Sequence, residues 1–200
     1  MRFVQPSNVH DIVRDLTAGK TVVFPTETSY GLGCDARNQS AVDKIFFIKG
    51  RPADKPLLIV VADTEMAKKY LVWNELTEKI ANKYWPGPCT MIGEYNKSEP
   101  LAKGVVGRDN TVAIRVSSFP FLNKLSAEAG FPIVATSANV SDEENLYDHK
   151  KIFEVFSARH EQPDLVVSGG QLPKVKPTTI VRVSDNNFEI VRQGELNIEL

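Results

Sequence analysis

The stretch TVVFPTETSYGLGCDARNQSAVDKIFFIKGRPADKP, residues 21–56, decides the reading of this chain. It opens on an apolar run, 21–24, that reads as a buried strand. A loop rich in hydroxyls and glycines follows, Pro25-Thr-Glu-Thr-Ser-Tyr-Gly-Leu-Gly33. Ser40 can then cap a helix whose apolar face is Ala41, Val42, Ile45, Phe46 and Ile48, with Gly50 as its stop. Strand, loop and helix in that order argue for an α/β fold. The helix delivers Lys49-Gly-Arg-Pro-Ala-Asp-Lys-Pro56, which gathers Lys49, Arg51 and Lys55. Hydroxyls and backbone amides suit a small polar substrate, and clustered cations suit a polyphosphate.

Working outward, Ser7 or Asn8 can cap a first helix bearing Val9, Ile12, Val13 and Leu16, stopped by Gly19. Residues 57–61 form an aliphatic run and read as a strand. Helical patterns follow at 64–71 and 75–84, the second stopped by Trp85-Pro-Gly-Pro88. Residues 89–95, 111–116 and 133–136 read as strands. Pro120 suits the first turn of a helix over 121–129, and 150–156 reads as a short helix. Residues 178–183 and 188–191 flank Asp185-Asn-Asn187 as an antiparallel hairpin. The expectation is a single α/β domain over 1–200 with a mixed sheet. Segment 94–108 is the most loop-like, and 142–149 is polar enough to be mobile. There is no internal repeat and no domain-splitting linker.

Composition narrows the function classes. The chain has 200 residues, 42% of them hydrophobic and 24% charged, as in an ordinary globular domain with a substantial core. Its net charge of −1 provides no global field for nucleic acid, although a local basic cleft is compatible with it. Cys34 and Cys89 stand far apart without a Cys-x-x-Cys, which excludes a zinc ribbon and suggests a reducing, cytoplasmic compartment. No signal-peptide run opens the chain, and no stretch approaches the ~18 apolar residues of a membrane span.

The remaining motifs are weaker one by one. Gly31-Leu-Gly-Cys-Asp-Ala36 fits the dinucleotide fingerprint formally, but residues 37–40 intervene before the helical pattern, so it reads as a chance match. There is no P-loop. His10, His149 and His160 lie in helix, loop and loop patterns with no nucleophile beside them, so chemistry here should rest on electrostatics and positioning. A Lys-x-Arg-x-x-x-Lys cluster alone reads as a solvated helix end. The two prolines and the preceding glycine loop shift it toward a site. Ala135-Thr-Ser-Ala-Asn139 ends a buried strand, where open α/β sheets bind ligands, yet it serves equally as a capping turn. Arg115, in Ala113-Ile-Arg-Val116, is either a carboxylate or phosphate clamp or an edge arginine facing water.

In this order, PTETSYGLG, KGRPxxKPL, WPGPxT, AIRV, TSANVS, PTTIV and RxG resemble the YrdC family of threonylcarbamoyl-AMP synthases, over nearly the whole chain. The resemblance implies a twisted open mixed sheet with flanking helices and a basic cavity. It also implies condensation of L-threonine, bicarbonate and ATP, with Mg²⁺, to threonylcarbamoyl-AMP and pyrophosphate. A separate transferase complex then modifies adenosine 37 of tRNA, so direct tRNA binding should be weak or absent. By resemblance, the catalytic tetrad falls on Lys49, Arg51, Ser137 and Asn139. ATP contacts fall on Arg51, Lys55, Thr111, Ser137, Asn145 and Arg192. The threonine site falls on Thr26, Thr28, Tyr30, Arg115 and Thr178. No protein ligand for a metal is implied. After Ser141 the chain departs from the usual family pattern, with Asp-Glu-Glu-Asn145 in place of Gly-x-x-Ser, which places an amide at 145. A non-catalytic module binding double-stranded RNA or tRNA is the alternative from another class. A carbamoyl-transfer domain, as in hydrogenase maturation proteins, lacks its companion segments here.

Overall fold

A computed structural model describes residues 1–52, 54–141, 143–184 and 187–199. The strands form two mixed sheets with six helices around them. The first sheet orders β1 (Arg2–Val4), β9 (Leu165–Val167), β2 (Val22–Pro25), β3 (Tyr30–Gly33) and β8 (Thr136–Ser137). The second orders β11 (Phe188–Arg192), β10 (Thr179–Val183), β5 (Cys89–Glu94), β6 (Thr111–Val116), β4 (Ile59–Val61) and β7 (Ile133–Val134). Helices α1 (Val9–Thr17), α2 (Gln39–Lys49), α3 (Thr64–Lys68), α4 (Glu75–Tyr84), α5 (Pro120–Ala129) and α6 (His149–Ser157) complete the chain. The mixed α/β architecture expected from the sequence is present, with its strands divided between two sheets.

Three local readings change. The glycine-rich stretch is half loop and half strand: Tyr30–Gly33 pairs antiparallel with Val22–Pro25. Gly31 and Gly33 are there because the Phe24 ring lies across them. A Cβ on Gly33 would sit 2.0 Å from the Val134 carbonyl oxygen and 2.7 Å from that ring. This explains the false dinucleotide pattern. Helix α2 starts at Gln39, capped by the Asn38 side chain, which accepts from the Ala41 amide at 3.1 Å. Ser40 sits inside the helix and donates to that same Asn38 oxygen. Residues 133–136, expected as one strand, split between the sheets. Ile133 and Val134 pair with β4, and Thr136 and Ser137 pair with β3.

Two short strands, β1 and β9, had no sequence expectation; they run parallel to each other and extend the first sheet beyond β2. The hairpin of β10 and β11 forms as expected, while Asp185 and Asn186 of its turn lie outside the described residues, as does Asp142 of the acidic run. Helices α1 and α5 cover one face of the first sheet through Val9, Ile12, Leu16, Leu122 and Leu125, over Val22, Phe24, Leu165 and Val167. A larger core joins Val23 and Leu32 to Ile45, Ile48, Met91, Ile114 and Val181. The second sheet divides its faces by strict alternation. Cys89, Met91, Val112, Ile114, Val181 and Val183 point into that core. Thr90, Ile92, Ala113, Arg115, Ile180 and Arg182 point the other way and floor a cavity.

Candidate functional site

The cavity has a volume of about 480 Å³ and lies between the second sheet, the β2–β3 turn, the segment before β4 and the crossing at Ala135. Its size falls in the range of small-molecule sites. The expected residues Thr26, Thr28, Tyr30, Arg51, Lys55, Arg115, Ser137, Asn145, Thr178 and Arg192 all line it. Residues from every part of the chain therefore meet at one place, which sequence spacing alone did not dictate.

One group of lining residues is built around Arg115. Its side chain is 4% exposed and pairs with Glu27, Nη1 to Oε1 at 3.2 Å. Burial pulls the guanidinium below its ordinary value and Glu27 opposes that shift. Nε and Nη1 are enclosed and make no hydrogen bond, so the Nη2 edge is the one open to the cavity. In the β2–β3 turn the Thr26 hydroxyl donates to the Ser29 carbonyl at 2.7 Å and takes the Thr28 amide at 3.2 Å. Thr26 is thereby spent on shaping the turn, which presents the Thr28 hydroxyl. The Tyr30 hydroxyl donates to the Gly170 carbonyl, and burial pushes it up to about 12, so its ring is a neutral wall. Across from the turn, the Thr178 hydroxyl accepts from Thr90 at 3.2 Å and from Arg192 Nη2 at 2.9 Å. With both acceptor positions filled, its own proton is left to donate, and the residue lines the cavity. Arg192 also grips the Thr178 carbonyl, an approach that Gly194 permits because a Cβ there would meet the Pro177 oxygen at 2.1 Å.

The loop after α2 adds two more cations to the lining. Arg51 donates from Nε to the Lys55 carbonyl at 2.9 Å, which folds the proline-stiffened loop and leaves both residues on the cavity wall. Lys49 lies elsewhere. It is 1% exposed, sits beneath the lining, and donates to the carbonyls of Ser137 and Asn139 and to the Asn139 side-chain oxygen. Burial first, and the Arg51 charge second, pull its ammonium down to about 7. The three acceptors work against that shift, since only the protonated amine can serve all of them. Asn139 is likewise off the lining, its amide nitrogen donating to the Glu143 carbonyl. Lys49 and Asn139 thus hold the turn that displays Ser137. Thr111 lines an adjoining cavity of about 310 Å³ that shares Asp54, Pro56, Ile92, Ala113 and Arg182 with the main one. Asn145, the amide just after the acidic run, reaches the main cavity.

Sequence reasoning missed Glu27, Thr90 and Arg182. Arg182 lines both cavities and pairs with Asp109 at 2.9 Å. Its signal was available: Ile180-Val-Arg-Val183 repeats the pattern of a lone arginine among strand apolars seen around Arg115. His10 and His160 are exposed, and His149, the first residue of α6, accepts from the Gly170 amide. Among the described residues no cluster of three His, Cys, Asp or Glu side chains exists to hold a metal.

The pattern of the Sua5/YciO/YrdC family, described as telomere recombination, matches residues 14–194. The chain belongs to this family. It is 33% identical over 186 residues to a putative threonylcarbamoyl-AMP synthase of Methanocaldococcus jannaschii, covering 93% of this chain and 85% of that protein. A threonylcarbamoyl-AMP synthase of Vibrio vulnificus is 39% identical over 138 residues, 68% of this chain and 73% of its own length. Among solved structures, Sua5 of Pyrococcus abyssi complexed with L-threonine matches with a TM-score of 0.86 at 28% identity. That match covers 97% of this chain and 57% of the longer one, so this member of the family spans little more than half the length of that Sua5.

Proposed function

We propose that this YrdC-type chain is an L-threonylcarbamoyl-AMP synthase. It condenses L-threonine, bicarbonate and ATP to threonylcarbamoyl-AMP, pyrophosphate and water, and a cytoplasmic transferase complex then passes the threonylcarbamoyl group to tRNA. The observation that carries the reading is that the buried Arg115 lines one cavity together with Arg51 and Lys55. A buried arginine that can take a carboxylate and a cation pair that can take a polyphosphate suit an amino acid and a nucleotide in one chamber. The names of the relatives support it.

The chemistry asks for placement more than for a nucleophile. The threonine amine attacks bicarbonate and gives the carbamate, and the carbamate oxygen then displaces pyrophosphate at the α-phosphorus. Arg115 holds the carboxylate, Thr28 and Thr178 offer hydroxyls, and Arg51 and Lys55 neutralise phosphate oxygens. Lys49 and Asn139 fix the turn from which Ser137 faces the same phosphates. Mg²⁺ is expected with the ATP, held by phosphates and water, since the described residues offer no acidic cluster for it.

The test is pyrophosphate release with ATP and Mg²⁺. It should need threonine and bicarbonate together. Valine should be turned over ~10⁴-fold less efficiently or worse, because a buried hydroxyl-binding group is left unpaired, while serine should be a poor substrate. Equal use of valine and threonine would overturn the reading.

A further inference from the structure

We propose that Glu27 is a positioning residue for amino-acid recognition: it fixes the distance between the group that takes the substrate carboxylate and the group that takes the substrate hydroxyl. Glu27 is absent from the cavity lining, so it acts through its neighbours. Its carboxylate is anchored on two sides. Oε2 accepts from the Ser117 hydroxyl at 2.8 Å, and Oε1 from the Ser118 amide at 3.4 Å. Oε1 also meets Arg115 Nη1 at 3.2 Å. Arg115 lies in β6 and Ser117 directly follows the strand, two residues on, and both reach Glu27.

Two consequences follow from this geometry. Glu27 occupies only Nη1 and leaves Nη2 on the open edge, which gives Arg115 one aim. With Nε and Nη1 making no hydrogen bond, the carboxylate charge of Glu27 is what holds the buried guanidinium there. Glu27 is also the residue before Thr28 in the β2–β3 turn, so the same carboxylate that aims Arg115 ties the Thr28 hydroxyl to β6. Threonine differs from its isosteres by where an oxygen stands relative to the carboxylate. A fixed spacing between Arg115 and Thr28 reads that difference. Ser117 and Ser118 complete the device by keeping Glu27 from following Arg115 when a ligand carboxylate arrives.

This inference rests on the proposed synthase reading, and the experiment separates the two. Glu27→Gln keeps the shape and one acceptor oxygen, so it retains the bond from Ser117 or the one from Ser118, and it removes the charge. Calorimetric titration with threonine should show Kd raised about tenfold or more, as expected for losing a charge-assisted partner of a buried arginine. The ATP Kd and the melting temperature should stay near those of the unmodified protein. The ratio of kcat/KM for threonine over valine should shrink, which a merely structural role does not require. In an Arg115→Lys background, Glu27→Gln should add little. Ser117→Ala, which loosens the anchor while leaving the charge, should shift threonine affinity in the same direction by less and gives the same readout where Glu27→Gln fails to fold. Unchanged threonine affinity and selectivity in Glu27→Gln or Ser117→Ala, tighter threonine binding, or an equal loss of ATP binding each overturn the role of Glu27 and leave the synthase reading standing. A wild-type protein that takes up no threonine overturns both.

Discussion

Lys49 illustrates how a residue type can be legible while its task is not. Its place in a cation cluster pointed to phosphate, yet its ammonium is buried against the Ser137 and Asn139 carbonyls and away from the cavity wall. Nothing in local spacing distinguishes an exposed helix-end lysine from one that the sheet crossing later covers. The linkage has a definite sign. The folded state lowers the ammonium from its ordinary 10.5 to about 7, so between those values the unfolded chain binds more protons and stability rises with pH. This contribution is full above the ordinary value and is lost as pH falls through about 7. Against Lys49→Met, the wild-type protein should gain relative stability at up to ~1.4 kcal/mol per pH unit across that window. Urea denaturation of both proteins at pH 6.5, 7.5 and 8.5 measures it, and a flat difference contradicts it. The two cavity arginines should differ in task. Arg115→Ala should weaken threonine binding by ~10-fold or more and spare ATP, since a charge-assisted hydrogen bond is worth about 1.5–3 kcal/mol. Arg51→Ala should do the reverse. Titration of each variant with each ligand checks the pair.

Elements with a long, clean period were legible. Helix α4 and strand β6 form with the bounds the pattern suggested, and Pro120 does open α5. Short elements were not, because tertiary pairing makes them. Strands β1 and β9 have three residues each and acquire their hydrogen bonds from one another and from β2, far off in sequence. β3 hid behind two glycines whose strand propensity is poor, although they are the residues that let Phe24 lie flat. The split of 133–137 between sheets is invisible to alternation, since both halves remain extended. Glycines make this testable. Gly33→Ala should destabilise the protein by about 3 kcal/mol or more, because its Cβ would strike backbone and ring at once. Gly50→Ala meets nothing within 4 Å and suffers only its left-handed backbone, φ 58°, which costs ~1–2 kcal/mol. Denaturant midpoints should rank the two in that order; the reverse order would mean that β3 can move away from Phe24.

At the scale of the whole molecule, the question is what the cations are for. The chain has 24 basic and 25 acidic residues, and much of the basic charge is already spoken for. Arg2 and Lys20 share Asp15, Arg37 holds Asp35, Lys44 holds Asp164, and Arg182 holds Asp109. Lys49 and Arg115 are buried. Arg51, Lys55, Arg115, Arg182 and Arg192 line a chamber of about 480 Å³ that admits a nucleotide and is far too small for a duplex. With acidic residues matching the basic ones in number, the molecule has no net positive charge to draw a polyanion to its outside. Transfer RNA should therefore bind weakly, and pyrophosphate release should need no RNA. Any RNA end that does enter should compete with ATP, since both require Arg51 and Lys55. A module built for RNA behaves otherwise, losing affinity with salt at a slope of ~−0.7 to −0.9 per neutralised phosphate. The measurement is tRNA affinity over a salt series, with and without ATP, beside the pyrophosphate assay. Tight and steeply salt-dependent binding that ATP leaves unchanged, in a protein that releases no pyrophosphate, would turn the reading from a synthase to an RNA-binding module.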